Sequence, residues 1–265
     1  LVFLFVVMLV PELSVMLGVL IPVPLTFFYV RFGRRTGLVL LTLVFIVLFI
    51  LIGPKPAVLF FTEYAVLAGI MAETIRLRLP FDKCILFSTL ISAALSISLL
   101  FFIIIDREST LFDFFQEQIE EYFKQSMEAL KAMGDKPEDI KVMQEFAAKA
   151  TGSLARVYPS LIIAGTFVVA TINYYATRFL WSRVYSSELF HSAKFSEWAL
   201  PDQTVWLLIS TGALSFVADN ILGIIAMNFL FIVLVLYFLQ GLAILIYFLE
   251  SRNVSVFFWF LIFFV

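Results

Sequence analysis

The sequence is poor in the residues that carry most hydrolytic, redox and metal chemistry. Its 265 residues include one cysteine, Cys84, and one histidine, His191. A single cysteine cannot form a disulfide within the chain, and the Cys/His spacings of zinc sites do not occur. HExxH, Gly-x-Gly-Asp and phosphate-loop patterns are also missing. We therefore expect no catalytic site, no metal site and no cofactor, and we expect that the protein is not an enzyme.

Charged residues are scarce as well. They make up 14% of the chain, against 62% hydrophobic residues, and the mean hydropathy is +1.04. Soluble domains have about 25% charged and about 45–50% apolar residues. The net charge of −2 provides no basic field that would attract nucleic acid. This composition predicts a membrane protein that contacts membrane lipids and has no nucleic-acid partner.

Long apolar runs recur along the chain. A membrane crossing needs about 20 predominantly apolar residues. The pattern predicts an all-α polytopic transmembrane bundle of seven to eight spans, at residues 1–21, 38–52, 57–75, 84–105, 157–179, 204–218, 221–249 and 254–265. The short runs at 38–52 and 204–218 would need flanking residues to cross. Residues 221–249 are long for one crossing, so we expect a tilt or a break near Gln240 and Gly241.

Basic residues lie at alternate ends of these spans. Ten occur in short connections on one side, and the short connections on the other side hold only Lys55. The positive-inside rule places the ten in the cytoplasm. We interpret the arginines among them first as topology anchors, with a cytoplasmic partner or anion surface as the alternative; the main candidates are Arg31, Arg34, Arg35, Arg178 and Arg183.

The stretch IPVPLTFFYVRFGRRTG, residues 21–37, joins the first two predicted spans. Pro22 and Pro24 cannot donate backbone hydrogen bonds, so we expect them to end the first span. Gly33 and Gly37 would permit a tight turn back into the membrane. The sequence therefore predicts a connection here.

The long polar segment 106–155 divides the chain into three predicted parts: membrane helices in 1–105, an external helical hairpin in 106–155, and membrane helices in 156–265. Thr110 and Asp113 have the spacing of a capping box at the start of the first hairpin helix. Gly152 is expected to end the second. The hairpin is interpreted as a structural cap or as a binding lid.

Polar residues inside spans are candidates for ligand binding, because lipid normally excludes them. The candidates are Asn173, Asn228, Gln240, Glu63 and Glu73. If Asn173, Asn228 and Gln240 face one another, they line a polar cavity, and we expect at least two to converge. If they bond only to neighbouring helices, they are structural. Glu73 is expected to pair with Arg76, three residues further along the same helix face.

Small residues repeat along two spans, at Ala65, Ala68, Gly69 and Ala72, and at Ser88, Ser92 and Ser96. Such faces let helices approach closely in lipid, so packing is favoured over a pore lining. Aromatic residues such as Tyr174, Tyr175 and Trp181 fit an interfacial belt.

Three stretches in the second half carry a resemblance: INYYATRFLWSR (172–183), FSEWALP (195–201) and ADNILGIIAMNFLFIVLVLYFLQG (218–241). With the early PVPL and RFGRRTG, they resemble the YybS-like family of predicted bacterial multi-pass membrane proteins. That family is regarded as distantly similar to the S components of energy-coupling-factor transporters. The resemblance implies a protein of the bacterial cytoplasmic membrane that binds or helps to transport a small ligand without its own ATPase. Its implied partner is a separate membrane coupling subunit. The alternative function is a non-transporting scaffold or assembly factor that binds other membrane proteins.

Overall fold

The computed structural model describes residues 18–105, 110–132, 137–185, 189–190, 194–217 and 221–252. Every regular element in these ranges is helical, which confirms the all-α class. The helices are α1 (Pro22–Phe32), α2 (Arg34–Ile52), α3 (Pro54–Phe60), α4 (Val66–Arg76), α5 (Phe81–Ile105), α6 (Leu111–Ala132), α7 (Pro137–Val184), α8 (Thr204–Val217) and α9 (Ile221–Ser251). A π-helical turn, Phe61–Ala65, joins α3 to α4, and a 3-10 turn covers Phe195–Glu197.

Five stretches among the described residues are long and apolar enough to cross a membrane: Arg34–Ile52, Pro54–Arg76, Phe81–Phe102, Thr151–Val184 and Ile221–Ser251. They confirm a membrane bundle and correspond to five of the predicted spans. Helix α8 has 14 residues and a length of about 21 Å, which is shorter than the roughly 30 Å hydrocarbon core. Nearly all of the predicted span 1–21 and the whole of 254–265 lie outside the described residues. The count of seven to eight spans therefore stays a prediction.

The prediction that residues 21–37 form only a connection is wrong. Pro22 opens α1, where a residue without a backbone N–H is well tolerated because the first turn has no helical acceptor for it. The helix then buries Val23, Thr26, Tyr29 and Val30. The segment is thus a helix in the core.

The two glycines after α1 have different roles. Gly33 has φ +90° between α1 and α2, so the predicted turn is confirmed there. Gly37 lies inside α2, and a Cβ atom at this position would clash with the Tyr29 ring. The prediction that Gly37 also serves the turn is wrong, because its place is set by the close approach of α1 to α2.

The small residues of the span Pro54–Arg76 face other helices. Ala65, Ala68 and Ala72 are buried, and the Thr26 hydroxyl donates to the carbonyl oxygen of Ala68 at 3.5 Å. This contact brings the backbone of α4 close to α1. The expected packing function of the small residues is confirmed for these positions.

Helix α6 begins at the predicted capping box. The Thr110 hydroxyl accepts a hydrogen bond from the Asp113 N–H at 3.2 Å, and the Asp113 carboxylate accepts one from the Thr110 N–H at 3.2 Å. Phe115 is buried against Tyr158, with ring centroids 3.8 Å apart. The expected helix end at Gly152 is wrong, because α7 runs without interruption for 48 residues and includes the whole second arm of the hairpin.

Helix α9 is unbroken at Gln240 and Gly241, so a break there is wrong. Its 31 residues extend for about 46 Å. That length exceeds the hydrocarbon core by roughly half, so α9 must tilt or extend beyond the core.

The chain divides into two compact units. The first comprises Leu1–Ser96, Gly165–Ala199 and Gly241–Val265, and the second comprises Ile97–Ala164 and Leu200–Gln240. Helices α5, α7 and α9 contribute residues to both. The division at residues 105 and 155 stays a prediction.

Candidate functional site

The core of the first unit forms where α1, α4, α5 and α7 pack together. Leu25, Met71, Cys84 and Tyr174, one from each helix, belong to a single buried cluster. The ring of Phe81 at the start of α5 lies 6.4 Å from that of Tyr174 on α7. The small side chains of α4 and α5 leave the polar groups in this core close to the helix backbones.

Six buried polar side-chain atoms have no hydrogen-bond partner among the described residues. Five are in the first unit: Thr89 Oγ1, Ser92 Oγ, Asn173 Oδ1, Tyr175 OH and Thr177 Oγ1. Leaving a buried polar group unpaired costs about 1–3 kcal/mol, and lipid supplies no alternative partner. Such atoms mark places where water or a ligand would be stabilised.

Asn173 presents its side-chain oxygen in a fixed orientation. Its Nδ2 donates to the carbonyl oxygens of Val19 and Val169, both at 2.7 Å, while Oδ1 is buried and unpaired. An amide nitrogen has two donors, so both are used. Thr177 lies one turn further along α7 and is also fully buried, which places both residues on one face of the helix.

The sequence singled out Asn173 but not Thr89, Tyr175 or Thr177. Serine, threonine and tyrosine are common in membrane helices, where they usually bond to their own helix or lie near the interface. Ser92 was assigned to packing and Tyr175 to an interfacial belt. The one available signal was the four-residue spacing of Asn173 and Thr177, which predicts a shared face.

Asn228 bridges two helices of the second unit. Its Oδ1 accepts from the N–H of Ser160 at 3.0 Å, and its Nδ2 donates to the carbonyl oxygens of Arg156 at 2.8 Å and Ile224 at 2.9 Å. Ser160 N–H and Arg156 C=O would bond to each other in a regular α-helix. They lie beside Pro159, which disturbs the helical hydrogen bonds of α7. The amide of Asn228 thus binds an irregular turn of α7.

Gln240 is also in the second unit, and its Oε1 is buried without a partner among the described residues. The structure therefore gives Asn173 and Gln240 an unpaired oxygen each, whereas Asn228 uses both donors and its oxygen on backbone groups. Convergence of two of the three on one cavity stays a prediction.

Glu73 has a different partner from the predicted one. Its carboxylate accepts a hydrogen bond from the Tyr29 hydroxyl at 2.7 Å and lies 3.8 Å from Nε of Arg34. The predicted pairing with Arg76 is wrong, because the only ion pair that Glu73 forms among the described residues joins it to α2. Arg76 instead packs against Gly33, where a Cβ would be 3.2 Å from its Nη1. Glu73 therefore links the ends of three helices.

Glu63 lies in the π-helical turn and is exposed. Such turns interrupt the regular hydrogen bonds of a helix and occur often at functional sites. Among the described residues, no group of three or more His, Cys, Asp or Glu side chains could hold a metal ion. A function of Glu63 in ligand binding stays a prediction.

The aromatic residues beside this core do not all form an interfacial belt. Tyr174 and Trp181 are buried, so the belt is wrong for these two residues. Trp181 packs against Tyr185 with ring centroids 4.5 Å apart, and the Arg31 guanidinium lies 4.6 Å from the centroid of the Tyr185 ring. Arg183 lies over the Phe179 ring at 5.0 Å. These contacts fix the arginine side chains at helix ends.

Comparison with known proteins identifies a family for this chain. A family model described as "Predicted membrane protein (DUF2232)" matches residues 1–265. No curated protein and no solved structure matches the chain.

Proposed function

We propose that this protein, which belongs to DUF2232, a family of predicted membrane proteins, binds a small polar ligand within its helix bundle. The observation that carries this proposal is the set of five unpaired buried polar atoms in the first unit, on Thr89, Ser92, Asn173, Tyr175 and Thr177. A binding site in a membrane protein needs a few polar groups in an otherwise apolar wall. This set has that composition.

The chemistry of the set favours an uncharged ligand. The buried polar residues among those described are serine, threonine and asparagine, with no charged side chain. A buried charge needs an opposite charge or several hydrogen bonds to offset its loss of water. Four hydroxyl groups, each a donor and an acceptor, and one amide oxygen suit a neutral molecule with its own hydroxyl or amide groups.

The proposal extends to the cellular setting that the resemblance implies. The protein would act in the bacterial cytoplasmic membrane, with residues 106–155 on the external side, and would resemble an S component that binds or helps to transport its ligand. It would have no ATPase of its own, so uptake would need a separate coupling subunit as partner. The arginine-rich helix ends at Arg31, Arg34 and Arg35 and at Arg178 and Arg183 would then face the cytoplasm.

A scaffold or assembly factor is the second candidate function. The observation that favours it is the amide of Asn228, whose donors and oxygen all bond to helix backbones. The exposed apolar side chains of α2, such as Val39, Ile50 and Leu51, could contact another membrane protein as well as lipid. In this function the buried hydroxyl groups would serve packing alone.

Thr177→Val tests the proposal, because valine has the shape of threonine and lacks its hydroxyl. The full chain would be purified in lipid nanodiscs, and non-lipid small molecules released by denaturation would be quantified by mass spectrometry. We expect the wild type to retain a small polar molecule near one per chain and Thr177→Val to retain several-fold less.

The matched control is Thr211→Val, because the Thr211 hydroxyl already donates to the carbonyl oxygen of Leu207 in its own helix at 2.6 Å. It should retain the molecule at the wild-type level. Thermal unfolding of each variant would verify that it is folded. Absence of any retained molecule in the wild type, or equal retention in folded Thr177→Val, would favour the scaffold.

A further inference from the structure

Arginine side chains from three helices surround the turn at Gly33. Arg31 ends α1, Arg34 and Arg35 begin α2, and Arg76 ends α4 with its guanidinium against Gly33. Glu73 pairs with Arg34 and offsets one of these four charges. The arginine group, defined as Arg31, Arg34, Arg35 and Arg76, therefore retains three net positive charges after this pairing.

Two members of this group, Arg34 and Arg35, lie at the N-terminal end of α2, where a counter-ion would be stabilised. The N-terminal end of a helix is the positive end of its dipole, which favours anions and disfavours cations. The first turn of α2 nevertheless contains Arg34 and Arg35, no acidic residue and no side-chain cap. Arg34 keeps a side-chain exposure of 72% although it is within 3.8 Å of Glu73. The group is thus incompletely neutralised and accessible.

Apolar side chains lie next to these charges. Phe32, Leu38 and Leu77 are 54%, 49% and 68% exposed, and each is one to four residues from an arginine of the group. A site for a soluble anion has no need of an exposed apolar border. A phospholipid does match it, because its phosphate and its acyl chains present both chemistries to the protein within a few ångströms.

We propose that the arginine group binds the phosphate of an anionic phospholipid headgroup, with the acyl chains against Phe32, Leu38 and Leu77. Arg34 and Arg76 hold the phosphate from two helices. Glu73 lies 3.8 Å from Nε of Arg34 and accepts a hydrogen bond from the Tyr29 hydroxyl at 2.7 Å, so the Glu73 carboxylate helps to orient Arg34. This site is separate from the polar core of the first unit and does not depend on the ligand proposed above.

Lipid binding would be measured on the full chain by native mass spectrometry, by titration with phosphatidylglycerol and, separately, with phosphatidylcholine. We expect the wild type to bind one phosphatidylglycerol at least tenfold more tightly than phosphatidylcholine. The variant Arg34→Gln/Arg76→Gln should bind phosphatidylglycerol roughly 30-fold more weakly, since each basic residue near an anionic surface contributes about fivefold.

The control Lys55→Gln/Lys124→Gln removes the same charge at two exposed residues outside the arginine group and should keep the wild-type preference. A third titration uses inorganic phosphate with the protein in phosphatidylcholine. Saturation by millimolar phosphate with no phosphatidylglycerol preference would overturn the lipid assignment. Equal loss in both double variants, or no preference in the wild type, would also overturn it. Even if Arg34→Gln/Arg76→Gln does not fold, the wild-type titrations can overturn the proposal by showing no preference for phosphatidylglycerol.

Discussion

Replacing Asn228 with leucine should destabilise the second unit by removing its bridge between α9 and α7. Leucine keeps the branch at Cγ but cannot bond to Ser160 N–H or to the Arg156 carbonyl oxygen. Both groups are beside Pro159, which has no backbone N–H and disturbs the helical hydrogen bonds of α7. The variant would leave this turn without its side-chain partner.

The magnitude follows from the hydrogen bonds. Two bonds at 3.0 Å and 2.8 Å join the helices, and one at 2.9 Å stays within α9. Interhelical hydrogen bonds in membrane proteins contribute about 0.6 kcal/mol on average and about 1.7 kcal/mol at most. We therefore expect Asn228→Leu to lower the free energy of unfolding by about 1–2 kcal/mol.

A double-mutant cycle with Pro159→Ala tests whether the Asn228 amide stabilises the protein through the turn at Pro159. Alanine removes the proline ring that disturbs this turn, so the Ser160 N–H can bond to the Arg156 carbonyl oxygen as in a regular helix. The cost of Asn228→Leu should then fall by about 1 kcal/mol in the Pro159→Ala background. Reversible unfolding in mixed micelles would measure all four proteins. If the cost of Asn228→Leu is the same with proline and with alanine, the amide does not act through the irregular turn.

Two further predictions concern helix ends. Arg78 follows α4 with φ 54°, and its N–H bonds to the carbonyl oxygen of Ile75 at the end of the helix. Because glycine adopts this conformation without strain, Arg78→Gly should raise the unfolding free energy by about 1 kcal/mol. A lower thermal midpoint of the variant would contradict this. At the start of α6, hydrogen bonds from the Thr110 hydroxyl and N–H lower the pKa of Asp113. The Asp113 carboxylate therefore stabilises the helix fully above the unfolded pKa of about 3.9, and this stabilisation is lost as pH falls through the lower folded pKa. Asp113→Asn should therefore speed amide exchange at the start of α6 at pH 7 and have little effect near pH 2, and an equal effect at both pH values would contradict the cap.

The fold class was predictable because lipid imposes one-dimensional rules. A crossing helix must satisfy its own backbone and present apolar side chains over about 20 residues, and both requirements are visible in a single stretch of sequence. The same is true of the capping box, which depends only on Thr110 and Asp113. The errors concern residues for which a second helix decides the outcome. A proline is compatible with the end of one helix or the start of another, and Pro22 begins α1, whose buried face depends on α4.

The candidate site was predictable only in part. Asn173 was identifiable because an amide within an apolar run needs a partner. One of its two partners, the carbonyl oxygen of Val19, is 154 residues away in sequence. Thr89 and Thr177 carried no comparable signal, because a threonine hydroxyl can usually bond to its own helix and is therefore tolerated anywhere in a span.

The sequence by itself determined that this is a helical membrane protein, where five of its spans lie, and how α6 begins. Those properties depend on composition and on contacts within about four residues. Only the tertiary structure decided that Glu73 pairs with Arg34 and Tyr29, that Gly37 makes room for the Tyr29 ring, and that Asn228 binds the turn at Pro159. The physical reason is that each of these contacts joins residues on different helices, whose relative rotation is set by packing and is not encoded in the spacing along either one.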